Sequence, residues 1–175
     1  MTTTVDDKLA FIFGRRSIRA YTSQPVSDEA VQKMLEAAMA APSAVACDPW
    51  RFVVVKNRKM LSAIADALPH GKMLTSAALS IVVSGDLEAA HDNQLSYLLQ
   101  DCAAAIENLL LCAHLLGLGT CWVAVHPREQ RVKSLQAILK LKEQVIPVAC
   151  IAIGYPAETK EPRTRFNPNF VSLEI

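Results

Sequence analysis

Apolar positions recur at helical spacing in several stretches of the chain and run continuously in others. Residues 6–14 predict a short helix with Leu9, Ile12 and Phe13 on its inner face and a glycine at its end. Ser27 is a candidate N-cap for a helix running through Ala41. Val31, Met34, Leu35 and Ala38 share one face there, and Pro42 stops it. Residues 57–68 repeat the pattern with Met60, Leu61, Ile64 and Leu68. Residues 93–116 are apolar nearly all round, as in a helix that runs through a core, and Gly117 suits its C-terminal cap. Residues 127–139 predict a helix with Pro127 in its first turn. Between these lie strand-like runs at 51–56, 79–84, 120–125 and 147–153. The tail from Gly154, with Pro156, Pro162 and Pro168, should be extended and held by something outside itself. The order describes one domain over 1–175, with helices and strands around one sheet and no strict βαβ alternation.

Composition adds a puzzle to this pattern. Hydrophobic residues make up 51% of the 175 positions and charged residues only 20%, and the mean hydropathy is +0.22. Such a chain either enters a membrane or hides apolar surface against a partner. The longest stretch without Asp, Glu, Lys or Arg, 108–127, has the ~20-residue length of a bilayer span. Asn108, His114, Gly117, Gly119, Thr120, His126 and Pro127 interrupt it, which fits a buried helix followed by a buried strand. The partner reading is therefore preferred. With 18 Lys+Arg against 17 Asp+Glu, a general affinity for nucleic acid is not expected. The N-terminal MTTTVDDKLAF carries acids and no apolar run, unlike a secretory signal. Five cysteines, odd in number and without a CxxC pair, read as small core residues of a cytoplasmic protein. Cys47, in a loop, is the one candidate for a reactive thiol.

Little here resembles acid–base or nucleophile machinery. The four histidines are scattered without metal-ligand spacing, so no metal is expected. There is no GxSxG elbow, and the adjacent acids Asp6 and Asp7 sit at a terminus. Gly71-Lys72 lacks the rest of a phosphate-binding loop, and Gly117-Leu118-Gly119 opens a strand where a dinucleotide fingerprint opens a helix. Contacts for an anion are more plentiful. Arg15, Arg16, Ser17 and Arg19 form one cluster, and Arg163 and Arg165, preceded by Lys160, form another. The planar donor fork of arginine matches phosphate. The two clusters either converge on one phosphate or remain separate solvated patches. The loop 42–50 has small residues at Pro42, Ser43 and Ala44 that let a flat ligand approach, or it is an ordinary connection to a buried Trp50. Anion contacts without acid–base groups point to chemistry carried by a cofactor.

Taken together, these segments resemble the nitroreductase family of FMN-dependent oxidoreductases over nearly the whole chain. The likeness rests on Arg15-Arg16-Ser17-Ile18-Arg19, Ala41-Pro42-Ser43, Pro49-Trp50-x-Phe52-Val53-Val54-Val55 and Lys72-Met73-Leu74. It continues through Gly117-Leu118-Gly119-Thr120-Cys121-Trp122, Ile153-Gly154-Tyr155-Pro156 and Pro162-Arg163-Thr164-Arg165. The resemblance implies an α+β, three-layer fold: a mixed, mostly antiparallel sheet flanked by helices, a long buried central helix, and a tail reaching onto a partner subunit. It implies a homodimer with FMN at the subunit interface. Arg15, Arg16, Ser17, Arg19, Arg163 and Arg165 would hold the phosphate and ribityl chain. Pro42, Ser43 and Ala44 would approach the ring from the other subunit, Lys72 would sit near its pyrimidine end, and Trp122, Val123 and Ala124 would wall it. No side chain is assigned as catalytic, because N5 of FMN carries the hydride. The implied reaction is a ping-pong transfer from NAD(P)H to nitroaromatics, quinones or similar acceptors. Another flavin reaction on the same fold, or non-catalytic flavin binding, is the alternative. The family's NxQPW loop has Ala46 and Asp48 here in place of its amides.

Overall fold

A computed structural model describes residues 5–174. The helices are α1 (Val5–Gly14), α2 (Asp28–Met39), α3 (Arg58–Ala67), α4 (Leu95–Leu115) and α5 (Glu129–Leu139). The strands are β1 (Trp50–Val55), β2 (Leu79–Asp86), β3 (Gly119–Ala124) and β4 (Val145–Gly154). They form one sheet in the order β1-β2-β4-β3, and every pairing of neighbours is antiparallel. Among the described residues, the one parallel contact is the isolated bridge between Ser17 and Thr120. Helices connect the strands in sequence, and β4 inserts between β2 and β3, so α4 carries a crossover between strands that are not neighbours.

Helices cover both faces of the sheet, which gives the three layers. Leu79, Ile81 and Val83 of β2 and Ala149, Ile151 and Ile153 of β4 pack on α2 and α4. Val82, Cys150, Ala152, Cys121 and Val123 pack on α3 and α5, where Leu61, Ile64, Leu68 and Leu135 are fully enclosed. Period-2 alternation sends neighbours along each strand to opposite cores.

Local chemistry sets the helix ends. Ser27 accepts from the Ala30 N–H at 3.1 Å and Asn57 from the Met60 N–H at 3.1 Å, as side-chain N-caps do. At the end of α4, Gly117 has φ +74°, its N–H donates to His114 O, and the Leu118 N–H donates to Ala113 O. That paired bonding is the Schellman motif, and it requires the left-handed glycine. Helix α4 is long and apolar enough to cross a membrane, but Leu98, Cys102, Ala105, Ile106, Leu109, Leu110 and Ala113 are buried in the core. Its other side is only partly covered, and Leu115 is 67% exposed.

Two expectations need correction. Pro127 precedes α5 rather than opening it; a cis His126–Pro127 bond turns the chain, and Arg128 occupies the N-cap position. Leu9, Ile12 and Phe13 do not face a core of their own chain and are exposed. The tail is extended, as expected, and its first part is held by the N-terminal segment: Ala157 N–H donates to Ala20 O and Arg163 N–H to Phe13 O. Only beyond this do Phe166, Phe170 and Leu173 project, each more than three-quarters exposed.

Candidate functional site

The segment after α1 lies along the edge of the sheet. Ile18 N–H donates to Thr120 O at 2.8 Å, and Ile18 packs directly on Gly119, where a Cβ would stand 2.8 Å from its side chain. Tyr21 closes the other end. Its hydroxyl donates to Ile18 O at 2.6 Å, and its ring lies over Gly154. Burial pushes the Tyr21 phenol far above its ordinary value, so it remains a neutral donor. Residues 15–19 are thereby fixed beside β3 and the end of β4.

The tail then crosses this segment. Lys160 Nζ donates to Ser17 O at 2.9 Å, and Arg16 donates to Glu161 O. Glu158 accepts from the Arg19 and Ala20 N–H groups and pairs with Lys160 at 3.3 Å. The result is one basic pocket of ≈ 220 Å³ lined by Arg15, Arg16, Ser17, Arg19, Lys160, Arg163 and Arg165. The two sequence clusters converge. Arg15 meets Glu107 at 3.4 Å. Arg16, Arg19, Arg163 and Arg165 have no carboxylate within ion-pair distance among the described residues. Guanidiniums gathered without counter-charge form a receptor for a multiply charged anion such as phosphate.

Arg19 also lines a second cavity, of ≈ 200 Å³, whose walls include Trp122, Val123 and Ala124 of β3 with Leu68, His70, Met73 and Arg131. Trp122 is 37% exposed, so an apolar indole face is available beside the basic pocket. Lys72 is exposed in the short 3-10 turn Lys72–Thr75, next to the wall residue Met73. Pro42, Ser43 and Ala44 line neither cavity of this chain. Their loop is internally pinned. The Ser43 hydroxyl donates to Asp48 Oδ1 at 2.6 Å, and Asp48 N–H donates back to Ser43 Oγ at 3.1 Å. Ala44 N–H donates to the buried Asp101 at 2.9 Å. Val45, Ala46 and Asp48 have φ of 52°, 56° and 50°, a costly left-handed backbone for non-glycine residues.

Sequence reasoning missed His70, Arg131 and Glu158. His70 and Arg131 are single polar residues on separate elements, and only folding brings them to β3. Glu158 had a signal, an acid two residues before Lys160 in a basic tail. The thiols of Cys102, Cys112, Cys121 and Cys150 are all pushed up by burial, Cys102 to about 12, as expected of inert core cysteines. Burial, assisted by the nearby Arg15, lowers His114 below 6.5, which keeps that imidazole neutral near pH 7. No group of three or more metal-ligating side chains occurs among the described residues.

The sequence matches the family model described as Nitroreductase family over residues 12–72 and 66–155. It is 40% identical over 173 residues to an Archaeoglobus fulgidus protein named "Putative NADH dehydrogenase/NAD(P)H nitroreductase", covering 97% of this chain and 99% of that protein. Among solved structures, an FMN-dependent nitroreductase from Clostridium difficile superposes with a TM-score of 0.88 at 30% identity, covering 95% of this chain and 99% of the other. A "putative nitroreductase in complex with FMN" from Desulfovibrio desulfuricans superposes with a TM-score of 0.85 at 32% identity, covering 98% and 99%.

Proposed function

This chain belongs to the nitroreductase family, and we propose that it is an FMN-dependent oxidoreductase. It takes hydride from NADH or NADPH and delivers it to an electron-poor acceptor such as a nitroaromatic or a quinone. The observation that carries the reading is the convergence of residues 15–19 and 160–165 on one basic pocket next to an apolar strand wall. The relative named for NAD(P)H nitroreductase activity and the FMN-containing neighbour support it.

FMN, when bound, supplies reversible hydride acceptance at its ring. The chain supplies binding and orientation. Arg16, Arg19, Arg163 and Arg165 offer charge-assisted hydrogen bonds to the phosphate, with Arg15 and Ser17 adding donors. Their fit to a dianion is good, because Arg16, Arg19, Arg163 and Arg165 have no carboxylate partner among the described residues, while Arg15 and Lys160 of the same pocket meet Glu107 and Glu158. Arg19 is common to both cavities, so a ligand anchored among the arginines extends along Trp122, Val123 and Ala124. Those residues line the cavity from the sheet-edge strand β3. Lys72 is assigned to the pyrimidine end, where a fixed cation favours added negative charge. No side chain is assigned as a proton-transfer catalyst.

Pro42, Ser43 and Ala44 line neither of the two cavities described above and are assigned to the site of a second copy. A homodimer also accounts for the composition. Leu9, Ile12, Phe13, Leu115, Phe166, Phe170 and Leu173 are exposed in the single chain, and permanent dimers bury roughly 2,000 Å² or more of such surface. Light scattering should report twice the chain mass. A cytoplasmic setting suits five free thiols and a nicotinamide reductant.

Steady-state kinetics test the reaction. Initial rates with NADPH and a quinone, both varied, should give parallel double-reciprocal lines, because one cavity serves donor and acceptor in turn. Absence of turnover with every donor and acceptor would leave a flavin-binding protein without this activity.

A further inference from the structure

We propose that the cleft at the start of α5 holds the phosphate groups of the dinucleotide hydride donor, with Arg128 and Arg131 as its anion-binding residues. The inference rests on the functional reading above and extends it from the cofactor to the donor.

Arg131 lines two cavities at once. One is the cavity walled by Trp122, Val123 and Ala124. The other is a wider cleft of ≈ 450 Å³ that includes Arg128, Gln130, Ser134 and Asp66. The Arg131 guanidinium donates one hydrogen bond, from Nη1 to Ala124 O at 3.1 Å, which ties it to the end of β3. The rest of its donor fork has no protein partner among the described residues, and Arg128 has none for its side chain. Asp66 shares the cleft yet forms no ion pair with either arginine. Outside the basic pocket, Arg51 and Arg58 are neutralised or bonded in place: Arg51 meets Asp86 at 3.2 Å, and Arg58 donates to the carbonyls of Leu74, Thr75 and Ala77. Two guanidiniums against the single carboxylate of Asp66 leave the cleft net positive, and an anion between them neutralises the excess. Gln130 and Ser134, one helical turn apart, add neutral donors to the same cleft.

The β3 cavity is therefore flanked by two basic sites. Arg19 joins it to the pocket of residues 15–19 and 160–165, and Arg131 joins it to the α5 cleft. One phosphorylated cofactor accounts for the first site. The second suits another phosphorylated ligand, one whose ring reaches the cofactor set against that wall. A reduced nicotinamide dinucleotide has that form, with a planar reacting ring at one end and phosphates farther along.

Calorimetry on the FMN-loaded protein tests this without turnover. The probes are ADP-ribose, which carries the pyrophosphate, and an adenosine bisphosphate carrying the 2′-phosphate. At least one should bind the wild type, and the responsive probe identifies which phosphate is held. Its Kd should rise about tenfold or more in Arg128→Gln and again in Arg131→Lys, the loss expected for one charge-assisted hydrogen bond. Arg128→Gln keeps the fold readable, because that side chain supports no other residue. Failure of both probes to bind the wild type, or an unchanged Kd in both variants, would overturn the proposal. Loss of FMN from the variants in step with the weakened probe would assign the arginines to the cofactor and overturn it as well. Failure of the functional reading looks different: bound FMN would then not be reduced by either nicotinamide.

Discussion

Lys160 Nζ donates to the carbonyl oxygen of Ser17 at 2.9 Å across a sequence separation of 143 residues. This bond brings the proline-rich tail onto the arginine-rich segment near the other end of the chain. With Glu158 bridging Lys160 to the Arg19 and Ala20 N–H groups, it turns two basic clusters into one pocket.

Glu158 should give the junction a measurable acid limit. The Arg19 N–H, then Lys160 and the Ala20 N–H, hold its carboxyl below the ordinary 4.5. The folded state favours the ionised form, so the stabilisation is complete above about pH 4.5 and is lost as pH falls through the lowered value. In Glu158→Gln the fall of Tm below pH 4.5 should be shallower than in the wild type. Superimposable acid limbs in thermal melts would show that Glu158 does not anchor the tail.

Arg163 and Arg165 lie in the basic pocket without carboxylate partners among the described residues. Replacing both by alanine should weaken FMN binding by about 2 kcal/mol or more, the scale of charge-assisted hydrogen bonds. The Tm of the FMN-free protein should change little, because both side chains are exposed. Fluorescence titration of FMN into the FMN-free variant measures this. Wild-type affinity would remove the tail arginines from the phosphate site.

Gly119→Ala should separate the arginine segment from β3. The added Cβ would meet Ile18 at 2.8 Å, in a contact already held by the Ile18–Thr120 hydrogen bond. Overpacking of this kind costs about 1–3 kcal/mol. Chemical denaturation should show that loss together with weaker FMN retention. A variant with full stability would mean that Ile18 moves aside without cost.

Val45→Gly should stabilise the protein by about 1 kcal/mol, because a β-branched residue at φ 52° carries a steric penalty that glycine avoids. Val45 is 73% exposed, so little packing is lost. A lowered Tm would show that the Val45 side chain has a partner, as it would in a dimer interface.

Much of the fold was legible because its signals are local. The cap at Ser27, the glycine after α4 and the apolar β2 and β4 runs act within a few residues, and they fell where the pattern put them. The errors arose where local pattern and tertiary context diverge. Pro127 suited a first helical turn, but its cis bond serves a loop. The apolar face of α1 was read as internal, yet periodicity cannot tell burial in one chain from burial against another. The arginine clusters were visible in sequence, while their meeting depended on Lys160 and Glu158. His70 and Arg131 carried no motif and became visible only when β3, α5 and the turn after α3 met around one cavity.

The absorption spectrum of the purified, FMN-loaded protein under anaerobic conditions, recorded before and after one equivalent of NADH or NADPH, tests the central claim most directly. The account predicts an oxidised flavin spectrum that bleaches with at least one donor and returns when a quinone is added. Bound flavin that stays oxidised with both donors would contradict it.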